Sequence, residues 1–458
     1  MPAEKNKVCI IGGGPSGLAL LNAFESARAK GDDIPEIVLF EKQDEVAGLW
    51  NYTWRTGVDR FGEQLHNSQY RYLWSNGPKE CLELADYSFD EHFGKPIPSF
   101  PPRVVLRDYL LGRVKKNKLL EKFDVRVNHI VRSVKDLKDG SFEVTYEELN
   151  KRKISTENFS QVIVAIGHFS VPHFPSYPGL DTFPGHVLHA HDFRDAVSYK
   201  DQKVVLVGAS YSAEDIALQL HKYGTKEVVI SYRTKALGFE WPESIEERPI
   251  LTKIDGKTVH FSDNSTYEAD AIIFCTGYQY YFPFLPQHLR FESLNFIYPD
   301  RLYKGTIFND NTNLMFMSMQ NQWYTFTMFD AEAFFLRDYV LGKIPLPKKS
   351  ERDVDIKKWY DRNFTDVAVP DSINFQRDFV ADLISYTDYP TTQEINAESA
   401  KILQQWARNK QADISSYRDH CFKSPATGTM AIPLYAPWLK AFDDSLEGFL
   451  NSCSGKNV

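Results

Sequence analysis

The sequence predicts an α/β fold with two Rossmann-like dinucleotide-binding units, the second inserted into the first. Three observations carry this. The apolar run Val8-Cys9-Ile10-Ile11 leads directly into the glycine-rich turn Gly12-Gly13-Gly14-Pro15-Ser16-Gly17. Val204-Val205-Leu206-Val207 leads in the same way into Gly208-Ala209-Ser210-Tyr211-Ser212-Ala213. Between them, Pro172, Pro175, Pro178 and Pro184 punctuate the chain and mark a linker. One such turn is a weak signal. Two, each in a strand–turn–helix setting, imply two dinucleotides on one chain, and the usual reason is electron transfer from a nicotinamide to a flavin.

The elements follow in order. A strand over Lys7–Ile11 feeds the first turn and an amphipathic helix over residues 17–30. Pro35 breaks the loop, and a second strand over Glu36–Phe40 ends at Glu41. Residues 51–102 are irregular and rich in Trp, Tyr, Gly and Pro; an irregular stretch of that length points to function. The run Gln161-Val162-Ile163-Val164-Ala165-Ile166-Gly167 reads as a buried strand. The second unit starts at Lys203, with a helix over 213–222 and a strand over 227–232. Another buried strand covers 271–277 and resembles the one ending at Gly167. The division is therefore 1–170 for the first part of a flavin domain, 171–277 for an inserted nicotinamide domain, and 278–458 for the remainder. Helices are expected over 329–339 and 396–409. No repeat is visible beyond the doubled βαβ unit.

Composition bounds the possibilities. A length of 458 residues allows two or three domains, each with a core. A net charge of −8, spread along the chain, argues for solubility and against nucleic acid as a partner. Cys9, Cys81, Cys275, Cys421 and Cys453 are widely spaced, so neither a disulfide framework, a zinc site nor a redox-active pair is expected. The remaining histidines show no ligand spacing, so no metal is assigned. The first residues lack an apolar core of the kind a signal peptide has, and no run of about 18 apolar residues occurs. A cytoplasmic, membrane-free protein is the simplest expectation.

The identity of each dinucleotide is decided where the second strand of each unit ends. Glycine turns let backbone N–H groups approach a pyrophosphate, aided by the positive helix N-terminus. In the first unit the strand ends at Glu41, whose carboxylate accepts from ribose hydroxyls and repels a 2′-phosphate; that suits FAD or NAD. In the second unit it ends Ser231-Tyr232-Arg233-Thr234, where a guanidinium and a hydroxyl suit a 2′-phosphate. FAD plus NADPH is the inference. The candidate cofactor residues are Gly12, Gly14, Pro15, Ser16, Gly17, Glu41, Lys42 and Gln43 for the first nucleotide. Gly208, Ser210, Ser212, Ala213, Ser231, Arg233 and Thr234 serve the second.

A resemblance then becomes specific. Phe183-Pro184-Gly185-His186-Val187-Leu188-His189-Ala190-His191-Asp192-Phe193 fits FxGxxxHxxx[YF], the signature of flavin-containing monooxygenases. Gly48-Leu49-Trp50 and Cys275-Thr276-Gly277-Tyr278 fall in the family's order as well. Trp74-Ser75-Asn76-Gly77-Pro78 and Gln322-Trp323-Tyr324 look like the bacterial branch that N-oxygenates trimethylamine. Ala47 departs from a frequent Gly, and Ile166 from a common Thr.

The resemblance implies a class B mechanism. NADPH reduces FAD, O2 adds to form a C4a-hydroperoxyflavin, and bound NADP⁺ protects it until an amine nitrogen or thioether sulfur attacks. The site must exclude water rather than supply an acid–base pair. By the same pattern Asn76 lies over the flavin and Tyr211 beside the nicotinamide. Gln322 reaches the isoalloxazine edge, Gly48, Leu49 and Trp50 join the cofactor set, and His189 links the domains. The family also implies a homodimer. Taken alone, an Asn in Ser-Asn-Gly-Pro is ordinarily a turn residue. Tyr72, Trp74, Trp323, Tyr324 and Phe326 read first as core and second as an aromatic wall around a methylated amine.

Three rivals remain. A Baeyer–Villiger monooxygenase has a related signature ending in Trp-Pro or Trp-Asp, whereas Phe193-Arg194 stands here. A disulfide reductase needs a cysteine pair. A flavoprotein electron carrier would reduce its flavin without oxygenating anything.

Overall fold

The computed structural model describes residues 6–291, 298–321 and 323–453. A seven-stranded sheet carries the first turn, in the order Leu302–Tyr303, Ile307–Phe308, Leu314–Phe316, Gln161–Val164, Lys7–Ile11, Glu36–Phe40, Asp124–Arg126. Its central strands run parallel, and the Leu302–Tyr303, Ile307–Phe308 and Leu314–Phe316 strands pair antiparallel. A five-stranded, all-parallel sheet carries the second turn, in the order Ile245–Arg248, Glu227–Ser231, Lys203–Val207, Ala271–Phe274, His186–His189.

The unbroken apolar runs are explained by burial on both faces. Along the first sheet Val8, Ile10, Ile37, Leu39 and Ile163 pack toward the helices. Their neighbours Cys9, Ile11, Val38, Phe40, Val162 and Val164 pack against Val131, Val134, Phe142, Val144 and Phe159. Those last residues belong to a three-stranded antiparallel sheet, His129–Asp136, Phe142–Glu148 and Lys153–Phe159. The second sheet repeats the device. Val204, Leu206, Val228 and Ile230 join the helix side, and Val205, Val207, Val229, Ile272 and Phe274 pack on Leu251, Ile254, Val259 and Phe261.

The two units match in backbone detail. Gly12 N–H donates to Phe40 O at 2.8 Å, and Gly208 N–H donates to Ser231 O at 2.8 Å. Both glycines need left-handed backbone, with φ of +109° and +116°. A Cβ on either would lie 2.5 Å from Ala165 O or 2.3 Å from Cys275 O, so only glycine fits. The helices after the turns cover Pro15–Ala29 and Tyr211–Lys222, each beginning two residues before the sequence-based estimate.

The chain crosses between the sheets twice, at Val171–Pro172 and at Tyr278–Gln279, and these two segments pair antiparallel. His189 is buried beside the return crossing, 5.3 Å from the Tyr278 ring, and burial lowers its pKa to about 4. The C-terminal third builds the helices Thr325–Val340, Lys349–Asp361, Val369–Ile384 and Gln393–Ala412. Thr325–Val340 packs on Pro15–Ala29, and Arg113 clamps it through a bidentate pair with Asp330 at 2.8 and 2.7 Å.

Candidate active site at the two nucleotide turns

Both helix starts leave their first backbone N–H groups without a side-chain cap. Gly14 caps the first helix and Ser210 the second, and neither makes a side-chain capping bond. Ser210 is ordinarily a good cap, yet here it is exposed in extended backbone at φ −149°. The N-terminal N–H groups of both helices are thus left for an outside acceptor such as a pyrophosphate. Pro15 at the first helical position and the buried Ser16 and Gly17 complete the first turn. Ser16 Oγ lies 2.6 Å from Ser318 Oγ, which fixes the turn to the returning part of the domain.

Glu41 is buried, and its carboxylate accepts from Gly13 N–H at 2.7 Å and Gln43 N–H at 2.7 Å. Burial raises its pKa, and those two donors oppose the rise. A carboxylate oxygen holds more than one acceptor site, so the group can still take a ribose hydroxyl. Gln43 also reaches Gly48 O at 3.1 Å, and Lys42 donates to Gln64 O at 2.5 Å. The Gly48–Trp50 turn closes over the glycine turn: a Cβ on Gly48 would stand 2.8 Å from Gly14 Cα. Ala47 just before it has φ +101°, the conformation that makes glycine the commoner choice at such a position. Asn67 holds this turn by donating to Leu49 O and Asn51 O. Trp50 meets Phe326 edge-on at 5.6 Å.

In the second unit the strand ends at Ser231, and Arg233 and Thr234 are exposed. The Ser231 hydroxyl is turned into the protein, donating to Pro249 O and accepting from Leu251 N–H at 2.8 Å. Arg233 and Thr234 are the groups of this trio that remain open to a phosphate. Ala213 is fully buried at the place Gly17 occupies in the first unit. The residues present therefore fit one nucleotide at each turn, the second with a cation where a 2′-phosphate would come.

Tyr211 begins the second helix and is half-buried. Its ring meets Trp323 edge-on at 5.4 Å, and Trp323 meets Trp406 at 5.7 Å. Lys410 Nζ stands 5.2 Å from the Tyr211 ring and pairs with Glu214 at 2.6 Å in a buried contact. Burial pushes the Tyr211 phenol well up, so it stays neutral. Trp74, Tyr324 and Phe326 are core residues, whereas Tyr72 and Trp323 are half-exposed. Asn76 is exposed between the buried Ser75 and Pro78. Gln322 lies outside the described residues.

Several buried groups carry no signal that sequence reasoning used. Asp215, Gln219, Lys410 and Arg418 are polar residues in ordinary local contexts, and their meaning comes from contacts 147 to 343 positions apart. Among the described residues no cluster of His, Cys, Asp and Glu could hold a metal ion, and no helix is long and apolar enough to cross a membrane.

A model of the flavin-binding monooxygenase-like family matches residues 5–239. A curated trimethylamine monooxygenase of Methylocella silvestris is 51% identical over 97% of this chain and 98% of its own. The crystal structure of Tmm from Pelagibacter sp. strain HTCC7211 superposes with a TM-score of 0.94 at 46% identity, covering 97% of this chain and all of that one. S-allyl-L-cysteine S-oxygenase from Allium sativum gives a TM-score of 0.75 at 26% identity over 90% of this chain and 95% of its own.

Proposed function

The chain belongs to the flavin-binding monooxygenase-like family, and from that premise we propose that it transfers one oxygen atom from O2 to the nitrogen of small tertiary amines such as trimethylamine. It is a flavin-containing monooxygenase that uses FAD and NADPH. The observation that supports the amine is the 51% identity to a trimethylamine monooxygenase, sustained over nearly the whole of both chains. The likeness to an S-oxygenase supports thioethers as further substrates.

On this reading FAD occupies the first turn and NADPH the second, with residues 171–277 as the inserted nicotinamide domain. Bound and reduced, the flavin supplies the electrons that activate O2. The net reaction consumes NADPH, O2, a proton and the amine, and yields NADP⁺, water and the N-oxide.

The chain's own residues do the rest. The uncapped helix ends hold the pyrophosphates, Glu41 takes the adenosine ribose of FAD, and Arg233 with Thr234 takes the 2′-phosphate. Asn76 offers an amide that neither gains nor loses a proton near the reacting oxygen. Tyr211, kept neutral by burial, walls the nicotinamide side together with Trp323. Such aromatic surface also suits the methyl groups of the substrate.

An amine must present a free lone pair to be oxygenated, and no catalytic base is assigned. Oxygenation at limiting trimethylamine should therefore rise with pH toward the amine's own pKa, while a thioether should show a much flatter profile. The test is direct measurement of N-oxide and sulfoxide across pH with NADPH. Absence of N-oxide, with ketones converted to esters instead, would replace this reading by a Baeyer–Villiger one. NADPH oxidation without any oxygenated product would replace it by an electron carrier.

A further inference from the structure

The Tyr211–Lys222 helix and the loop bearing Asn76 are tied together by one residue far from both in sequence. Arg418 lies in the short Tyr417–Asp419 helical turn, and its side chain has no exposure to solvent. Its guanidinium pairs with Asp215, in the first two turns of the Tyr211–Lys222 helix, and its Nε donates to Ser75 O at 3.0 Å. Ser75 immediately precedes Asn76. Trp438 covers the guanidinium at 4.3 Å. A planar fork serves an acid on one side and a carbonyl on the other with its donor directions fixed; an ammonium on a flexible stem fixes neither direction.

Two further contacts run along the same helix to the same loop. Gln219 Nε2 donates to Tyr72 O at 2.9 Å, and Lys222 Nζ lies 5.4 Å from the Trp74 ring. Asp215 and its neighbour Glu214 also stand close to the helix N-terminus, where their charge would oppose a bound pyrophosphate. Arg418 and Lys410 neutralise them in buried pairs.

We propose that Arg418 is a positioning residue that locks the nucleotide-bearing helix and the Asn76 turn into one register. Through it, nicotinamide nucleotide held on the helix keeps Asn76 where oxygen transfer needs it. This deepens the function proposed above and rests on it.

The test measures N-oxide formed and hydrogen peroxide released per NADPH consumed, in wild type and in Arg418→Lys. The ratio is independent of how much protein is correctly folded, so a merely structural role would not move it. Arg418→Lys keeps a cation opposite Asp215 but loses the fork. Its N-oxide per NADPH should fall at least about threefold, hydrogen peroxide making up the difference, because a small loss of orientation at the reacting centre costs rate steeply. Its KM for NADPH should stay within about threefold of wild type, because the charge that neutralises Asp215 is retained.

A wild-type product ratio in Arg418→Lys would overturn the inference, even with a lowered melting temperature. If Arg418→Lys purifies without flavin, Asp215→Asn decides. It keeps the volume opposite Arg418 but removes the charge that orients the guanidinium, and a lowered ratio supports the inference while an unchanged one overturns it. Failure of wild type itself to form N-oxide would end the proposed function, a different outcome from wild-type coupling in the variants.

Discussion

Replacing Arg233 by Ala isolates the reading of the 2′-phosphate. Arg233 is exposed at the end of the strand that terminates at Ser231, with the exposed Thr234 beside it. Ser231 is committed to Pro249 and Leu251 and has little left to offer. Of Ser231, Arg233 and Thr234, the guanidinium is therefore the one with a charge to offer a phosphate dianion. A charged hydrogen bond is worth roughly 1.5–3 kcal/mol, and an exposed one falls at the low end because water and salt already screen it. About 1.5 kcal/mol corresponds to about a tenfold loss. The assay is kcat/KM for NADPH and for NADH, in wild type and Arg233→Ala, at low and moderate ionic strength. NADPH should lose about tenfold and NADH almost nothing, with the gap shrinking as salt rises. Arg233→Lys should fall between, keeping charge but losing the fork. The change is on the surface, so melting temperature should not move appreciably. If the NADPH to NADH ratio is the same in variant and wild type, or if both cofactors suffer equally, Arg233 does not read the phosphate.

Asn76→Ala should retain FAD and still oxidise NADPH, while releasing hydrogen peroxide in place of most N-oxide; normal coupling would return Asn76 to the role of an ordinary turn residue. Gly48→Ala puts a Cβ 2.8 Å from Gly14 Cα at φ +58°, backbone against backbone. FAD affinity, followed by fluorescence on titrating the apoenzyme, should drop by about 1–2 kcal/mol, and an unchanged affinity would mean this turn does not seat the cofactor. Glu332 is fully buried, accepts from Ser318 N–H at 2.7 Å, and has its pKa pushed up to about 8 by burial. A raised carboxyl favours the folded state while protonated, so stability should decline as pH rises from the ordinary carboxylate range through about 8. Glu332→Gln, neutral throughout, should remove a slope amounting to several kcal/mol over that window, on the order of 1.4 kcal/mol per unit. Urea midpoints at several pH values measure it, and parallel slopes in both proteins would contradict the assignment.

The doubled nucleotide architecture was legible because its parts are local. A strand, a turn and a helix lie within about thirty residues, and the φ of Gly12 and Gly208 is dictated by contacts one strand away. The both-faces-buried strands were legible for the same reason: unbroken apolar runs mean cover on two sides. Helix starts were less so, because Pro15 and Tyr211 enter the helices through backbone geometry that hydrophobic period does not report. The antiparallel sheet over residues 129–159 was missed, since half-exposed strands carrying many charges give a weak pattern.

What only the tertiary structure decided is polar and long-range. Ser231 looks like a phosphate ligand in sequence, yet its hydroxyl is consumed by a neighbouring loop. Asp215 carries no sequence mark of a partner, yet it is buried and paired with Arg418, 203 positions away. The same arginine reaches Ser75 across 343 positions. Apolar patterning repeats along an element and so announces itself, whereas a buried ion pair or carbonyl contact depends on two distant segments meeting. A single sequence carries no periodic trace of such a meeting, and the folded chain alone brings the partners together.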